Sequence, residues 1–274
     1  MSRQTVSGVL FLAENLLGSL KQARLEAEVL LANVLQVDRS YLRTHPERRV
    51  SFMKRCIFFY SVRLRAKHIP IAYINGWKEW AGFRISVTPS VLIPRDETEI
   101  LIQKIREIEK NNPKNILDVG TGSGCISIAV SKIFPDAVVT AIDYSRAALS
   151  VAQKNFRDHK IDVDVRYSDL LSAISPKSKF DLIVANLPYL PKDISLEEEV
   201  KREPEEALFA GKEGLDLLCR FAKELREKEI EFHSLWIEFL PQQWGDIQLL
   251  FKHWNIQSHQ DIGGDIYFAR ITPR

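Results

Sequence analysis

The first seventy or so residues place apolar and polar positions in a helical rhythm. In LEAEVLLANVL (25–35) the apolar residues recur three and four apart, and FMKRCIFFYSVRLRAK (52–67) repeats that stripe with basic residues between. The opening stretch, MSRQTVSGVLFLAENLLGSL, is broken by Glu14 and Asn15 and has the spacing of an amphipathic helix rather than a signal peptide. Ile69-Pro70 closes this segment. AYINGWKEWAGFRISVTPSVLIP (72–94) then alternates apolar positions between glycine and proline breaks, which predicts a hairpin and a connecting strand. These shifts divide the chain into a helical domain over 1–72, a β-hairpin linker over 73–93 and a larger domain over 94–274.

Beyond Pro94 strands alternate with helices. Helix DETEILIQKIREIEK leads to strand NILDV, helix CISIAVSKIF, strand AVVTAID, helix SRAALSVAQKNFRDH, and strands VDVRYSD and FDLIVAN. Helix GLDLLCRFAKELREKEIEF, strand SLWIEF, helix QQWGDIQLLFKHW and a closing pair, IQSHQ and DIYFARI, complete the chain. Alternation of this kind predicts an α/β fold with a mostly parallel sheet. The tight Gly263-Gly264 turn makes the last pair antiparallel.

Composition narrows the classes. Apolar residues make up 45% and charged residues 27%, as in an ordinary globular protein. The net charge of +2 gives no overall pull toward nucleic acid, but residues 1–72 hold 12 Lys and Arg against 5 Asp and Glu. That basic lobe suits an acidic partner, a phosphate backbone or simply solvated helix faces. Cys56, Cys125 and Cys219 are widely spaced and form no CxxC pair, so neither zinc nor a disulfide framework is expected. No run approaches the roughly 20 apolar residues of a membrane span. A soluble, cytoplasmic protein without a metal is the expectation.

The sharpest local signal is ILDVGTGSGCISIAV (116–130), where a strand ends at Asp118 and a loop with Gly120, Thr121, Gly122 and Gly124 opens a helix. Ligands of an open parallel sheet bind beyond the carboxyl ends of its strands, and glycine lets backbone approach them closely. A dinucleotide fingerprint runs G-x-G-x-x-G. Here the third glycine comes one residue early and an acid precedes the first, which suits a cationic ligand such as S-adenosylmethionine. The pattern resembles the E/D-x-G-x-G-x-G loop of Rossmann-like class I methyltransferases. Asp143 ends the next strand, where a carboxylate can accept from both ribose hydroxyls. NAD enzymes place an acid there too, so Asp143 indicates a nucleoside without choosing between them. Asp169 ends the third strand and either reaches an adenine amino group or caps the turn that follows. Cys125 reads as a small residue packed under the loop.

FDLIVANLPYL (180–190) supplies the reacting end. A planar amide or aromatic amine is a poor nucleophile because its lone pair is delocalised. Acceptors for both N–H hydrogens hold such a nitrogen in line with a methyl donor and favour an electron-rich state. The Asn186 carbonyl can accept one hydrogen and the backbone carbonyl of Leu187 the other, while Tyr189 offers a flat face. Asn186, Leu187, Pro188 and Tyr189 match the (N/D/S)-P-P-(Y/F/W) class that methylates nitrogen in planar groups, adenine and glutamine alike.

Three further segments separate those substrates. LIPRDETE (92–99), the 69–94 stretch with its P-x-x-Y-x-x-G opening, and REPEEALFAGKEGLDLL (202–218) resemble, in order, segments of the PrmC/HemK family of release-factor glutamine methyltransferases. The resemblance implies a Rossmann-like methyltransferase sheet behind a small N-terminal substrate-recognition domain. It implies S-adenosylmethionine as cofactor, S-adenosylhomocysteine as product and the glutamine of the GGQ motif in peptide chain release factors as substrate. Carried over residue by residue, the cofactor site falls on Asp118, Gly120, Thr121, Gly122, Gly124, Asp143, Asp169 and Asn186. The catalytic tetrapeptide is Asn186 to Tyr189, with Arg95 and Glu203 beside the substrate and Thr98 and Glu99 in support. No membrane association or stable nucleic-acid binding is expected. Leu187 and Asp96 stand where the family usually has proline, and of its E-H-G strand ending only Glu238 remains. The competing reading is an N6-adenine methyltransferase acting on rRNA or DNA. It would need a basic cleft, whereas residues 73–274 carry 26 basic against 31 acidic side chains.

Overall fold

A computed structural model of the chain describes residues 4–18, 20–261 and 263–274. Its backbone contacts separate two units, one of residues 1–77 with 197–202 and one of residues 78–196 with 203–274.

The first unit is helical: α1 (Val6–Leu16), α2 (Ala23–Leu35), α3 (Arg39–Thr44), α4 (Phe52–Arg65) and α5 (Ile71–Asn75). The apolar stripes meet in a core that includes Val9, Leu30, Leu31, Phe58 and Val62, all with no exposed surface. Thr5 caps α1 by accepting from the Gly8 N–H. Arg65, buried on α4, binds Glu26 through two hydrogen bonds of 2.7 and 3.0 Å and lies 3.0 Å from Glu199. That second carboxylate belongs to the short returning segment, whose Arg202 donates to the Lys67 carbonyl.

The second unit begins with the hairpin β1 (Trp77–Trp80) and β2 (Phe83–Ser86) and helix α6 (Asp96–Ile108). There follow β3 (Asn115–Val119), α7 (Cys125–Ile133), β4 (Val138–Asp143), α8 (Arg146–His159), β5 (Asp164–Tyr167) and β6 (Lys179–Ala185). Helix α9 (Asp216–Glu227), β7 (Glu231–Glu238), α10 (Trp244–Leu250), β8 (Asn255–Gln260) and β9 (Ile266–Thr272) close it. Seven strands form one sheet in the order β5-β4-β3-β6-β7-β9-β8, parallel except where β9 pairs antiparallel with β7 and β8. The expected α/β sheet with its antiparallel close is what the chain builds. Ile116, Leu117 and Val119 of β3 are all buried, as a strand covered on both faces requires. From β3 the chain runs outward through β4 to β5 in one direction, and from β6 to β7 in the other, where β9 inserts between β7 and the edge strand β8. The sheet therefore has its switch point between β3 and β6, and a crevice opens beyond their carboxyl ends.

Some element ends differ from the sequence pattern. The stretch expected to open the hairpin forms α5, and residues 87–94 make no strand. The helical pattern that runs to Phe232 stops at Glu227. Glu229 takes a left-handed φ of 53°, and Glu231 and Phe232 join β7 opposite Lys179 and Phe180. The pull of a vacant sheet edge outweighs the helical preference of KEIEF. The helix expected over 242–254 is a 3-10 turn, Pro241–Gln243, followed by the shorter α10.

Candidate active site

A cavity of about 590 Å³ occupies the crevice, walled by the glycine loop after β3, the end of β4, the NLPY segment after β6 and the 204–220 stretch.

Loop geometry comes first. The Gly120 and Thr121 N–H groups both donate to the Ile142 carbonyl, and Gly122 N–H donates to Asp143 Oδ2 at 2.8 Å. Asp143 Oδ1 accepts from Ser145 N–H at the start of α8, so this carboxylate joins two turns while facing the cavity. Burial pushes its pKa up against the pull of those N–H groups. Gly124 has φ +83°, and a Cβ there would lie 2.5 Å from the Phe156 ring. A Cβ on Gly120 would sit 3.1 Å from Leu187 Cδ2 and 3.5 Å from the Asn186 carbonyl, so the loop packs directly against the NLPY segment.

Asp118 stands apart from its expected role. It is fully buried beneath the loop and absent from the cavity wall. Its Oδ2 accepts from Thr121 Oγ1 at 2.7 Å and from Ser127 Oγ at 2.6 Å, while Oδ1 has no partner among the described residues. Burial outweighs those hydroxyls and raises its pKa to about 6. Gly124 is likewise behind the wall. Asp169 lines the cavity, and its carboxylate pairs with Arg220 at 2.8 Å rather than capping a turn. Cys125 is buried at the start of α7, its thiol pushed up to about 12 by burial.

At the reacting end, Asn186 Nδ2 donates to Glu238 Oε2 at 2.9 Å and to Thr98 Oγ1 at 3.1 Å. Thr98 Oγ1 donates to the same Glu238 oxygen at 3.0 Å, and the Tyr189 hydroxyl donates to Glu238 Oε1 at 2.7 Å. Both amide hydrogens of Asn186 are used, and no donor among the described residues reaches its Oδ1 or the Leu187 carbonyl. Asn186, Leu187 and Pro188 line the cavity, while Tyr189 does not. Its hydroxyl, buried against a carboxylate, has a pKa well above the usual value. The Leu187 side chain turns into the hydrophobic core, only 4% exposed.

Arg95 and Glu203 are joined, Arg95 Nη2 donating to Glu203 Oε1 at 2.6 Å, with Ile93 N–H on Oε2 at 2.9 Å. Arg95 faces the cavity and buried Glu203 stands behind it. Glu99 accepts from the Ala81 N–H in the hairpin turn. Asp96 accepts from Lys78. Arg95, Asp96, Thr98 and Glu99 of LIPRDETE thus each have a structural partner. Sequence reasoning gave Glu238 no role in the site, although it holds three of the site's donors. The only signal was its survival within an otherwise altered strand ending.

Residues 9–76 match the PrmC N-terminal domain family and residues 96–204 the Methyltransferase small domain family. A release factor glutamine methyltransferase of Koribacter versatilis is 42% identical over 208 residues, 74% of each chain. One from Leptospira interrogans is 34% identical over 261 residues, 91% of each chain. The chain belongs to the release factor glutamine methyltransferase family. Solved structures extend the likeness of fold at low identity. A methyltransferase from Pyrococcus furiosus superposes with a TM-score of 0.52 at 14% identity, covering 70% of this chain and 88% of its own. A T. Thermophilus 16S rRNA N2 methyltransferase in complex with AdoMet and guanosine gives 0.54 at 15% identity, covering 72% and 50%. The family's fold is thus the class I methyltransferase sheet described above. Among the described residues no helix is long and apolar enough to cross a membrane, and no group of His, Cys, Asp or Glu could hold a metal ion.

Proposed function

We propose that the protein methylates the side-chain amide nitrogen of a glutamine in peptide chain release factors, the glutamine of their GGQ motif, with S-adenosylmethionine as donor and S-adenosylhomocysteine as product. The observation that carries this reading is the orientation of Asn186. Its NH₂ group is committed to Glu238 and Thr98, which leaves Oδ1 to accept, and both Asn186 and Leu187 line the cavity. Oδ1 and the Leu187 carbonyl together would match the two hydrogens of a primary amide.

The donor set fits the cofactor. Backbone at Gly120, Thr121 and Gly122 can lie against its nucleoside, the Asp143 carboxylate retains lone pairs for ribose hydroxyls, and Asp169 can accept from an adenine amine. When bound, the cofactor supplies a methyl group already activated by a sulfonium. The chain's residues hold and orient the acceptor. Asn186 Oδ1 and the Leu187 carbonyl take one N–H hydrogen each, which fixes the amide plane and draws electron density onto the nitrogen. Asp118 contributes by shaping the loop rather than by touching the cofactor. Tyr189 acts through its hydrogen bond to Glu238, and Glu203 holds Arg95 toward the substrate. The helical first unit, rich in exposed arginine, is the recognition domain in this reading and grips the body of the release factor.

Purified release factor incubated with methyl-labelled cofactor should gain label on one glutamine, and Asn186→Ala should remove nearly all of it. Label appearing in nucleic acid instead would restore the adenine reading. Charge reversal at Arg48, Arg49, Lys54 and Arg55 should weaken release-factor binding. Unchanged binding would remove the first unit from recognition.

A further inference from the structure

We infer that Glu238 is a positioning residue for methyl transfer, fixing which atom of the Asn186 amide faces the substrate nitrogen. The inference rests on the function proposed above. Glu238 is 1% exposed and does not line the cavity, so it acts only through the groups it holds.

Its two oxygens meet three donors, Tyr189 on Oε1 and Asn186 with Thr98 on Oε2. An ionised carboxylate only accepts, so it demands a donor from Asn186. Thr98 has spent its one hydrogen on Glu238 and offers Asn186 a lone pair. The two partners together accept both amide hydrogens, and Oδ1 is left for the cavity. Turning the amide over would set Oδ1 against the carboxylate oxygen and aim an NH₂ at the substrate. A substrate amide that brings its own N–H hydrogens would then meet donors where it needs acceptors. A neutral side chain at 238 removes that constraint, because an amide or a protonated acid can donate as well as accept.

Arg95, Glu97 and Thr98 face Glu238 from the start of α6, Asn186 and Tyr189 from beyond β6, and Tyr267 from β9. Burial dominates and lifts the carboxyl to about 7 against the hydrogen bonds from Tyr189 and Thr98, which favour the charged form, with Glu97 adding to the rise and Arg95 opposing it. Protonation near neutrality would turn one oxygen into a donor and loosen the orientation of Asn186. The fall in rate on acidification is therefore a signature that a merely structural residue would not give.

The test measures methyl transfer to release factor across pH with wild type, Glu238→Gln, Thr98→Val and Asn186→Ala. We expect wild-type kcat to fall below an apparent pKa near 7, and Glu238→Gln to lower kcat about 10- to 100-fold and abolish that acid limb. KM for release factor and binding of S-adenosylhomocysteine should stay within about threefold. Thr98→Val should lower kcat about tenfold and shift the limb. Wild-type kcat and an unchanged acid limb in Glu238→Gln would overturn the inference, as would parallel loss of kcat, cofactor binding and thermal stability. If Glu238→Gln does not fold, the wild type decides. An acid limb shifted by Thr98→Val upholds the role, and a flat kcat from about pH 6 to 8 ends it. An active Asn186→Ala would overturn the proposed function itself. Inactive Asn186→Ala beside a fully active Glu238→Gln would overturn only this assignment.

Discussion

Asp118 and Glu238 are both buried carboxylates at the ends of strands that flank β6, yet they are wired differently. Asp118 binds Thr121 and Ser127, three and nine residues further along the chain. Glu238 binds Thr98, Asn186 and Tyr189, which lie 140, 52 and 49 residues away. Asp118 is held by neighbours in sequence within the glycine loop, and the reacting end is assembled only after α6, β6 and β7 have come together. A local turn can form with its binding geometry largely set. A tetrapeptide held from distant elements depends on the whole sheet, so its precision is a property of the tertiary fold.

Substitutions should divide along the same line. The largest effect is expected for Asn186→Ala, a kcat loss of about 10²–10³ with S-adenosylhomocysteine affinity preserved, measured by labelled transfer and calorimetry. Equal losses of both would show that the two ends do not separate. Gly124→Ala should act on the other end. Its Cβ would fall 2.5 Å from Phe156 at a left-handed φ, so about 1–3 kcal/mol of stability should go, together with cofactor affinity. Denaturant titration with and without cofactor measures both.

Leu187→Pro should keep kcat within a few-fold, since the backbone carbonyl survives. The buried leucine side chain is lost, costing about 1–3 kcal/mol in denaturant unfolding. A collapse of kcat at unchanged stability would mean the side chain matters to transfer. The two carboxylates should also shape the pH dependence of stability. Folding raises the Asp118 pKa from 3.8 to about 6, so the folded state binds that proton more tightly. The contribution is fully present below the unfolded value and is lost as pH rises through about 6. Asp118→Asn should remove that part of the dependence and leave the higher window of Glu238, as unfolding at about pH 5 and about pH 7.5 would register. Smallest of all, Asp96→Pro should change stability by less than about 0.5 kcal/mol, because the residue sits at the first position of α6 in an exposed pair with Lys78. A larger loss of thermal stability would mean that pair holds the hairpin in place.

The same contrast explains what the sequence could reveal. DVGTGSG was legible because its glycines and its acid sit within one turn of the chain, and the mostly parallel sheet followed from alternating elements. Asn186 was legible through chemistry, since an amide acceptor after a central strand has few uses. The partners that orient it were not. Nothing within ten residues of Glu238 hints that Asn186 or Thr98 will reach it, because parallel pairing of β6 with β7 brings the first and the packing of α6 brings the second. Asp118 was misplaced for a related reason. Its position before the glycines is visible, but whether its side chain turns to the ligand or under the loop depends on Thr121 and Ser127.

Residues 197–202 belong to the helical unit although the chain on both sides of them belongs to the other. The backbone therefore crosses between the units at three places rather than one. Cutting before Lys78 would not yield a free-standing catalytic fragment. It would strip Glu199 of Arg65 and Arg202 of the Lys67 carbonyl, leaving a six-residue orphan between NLPY and the Glu203 that supports Arg95. To the enzyme engineer, the helical unit is stitched in, not appended.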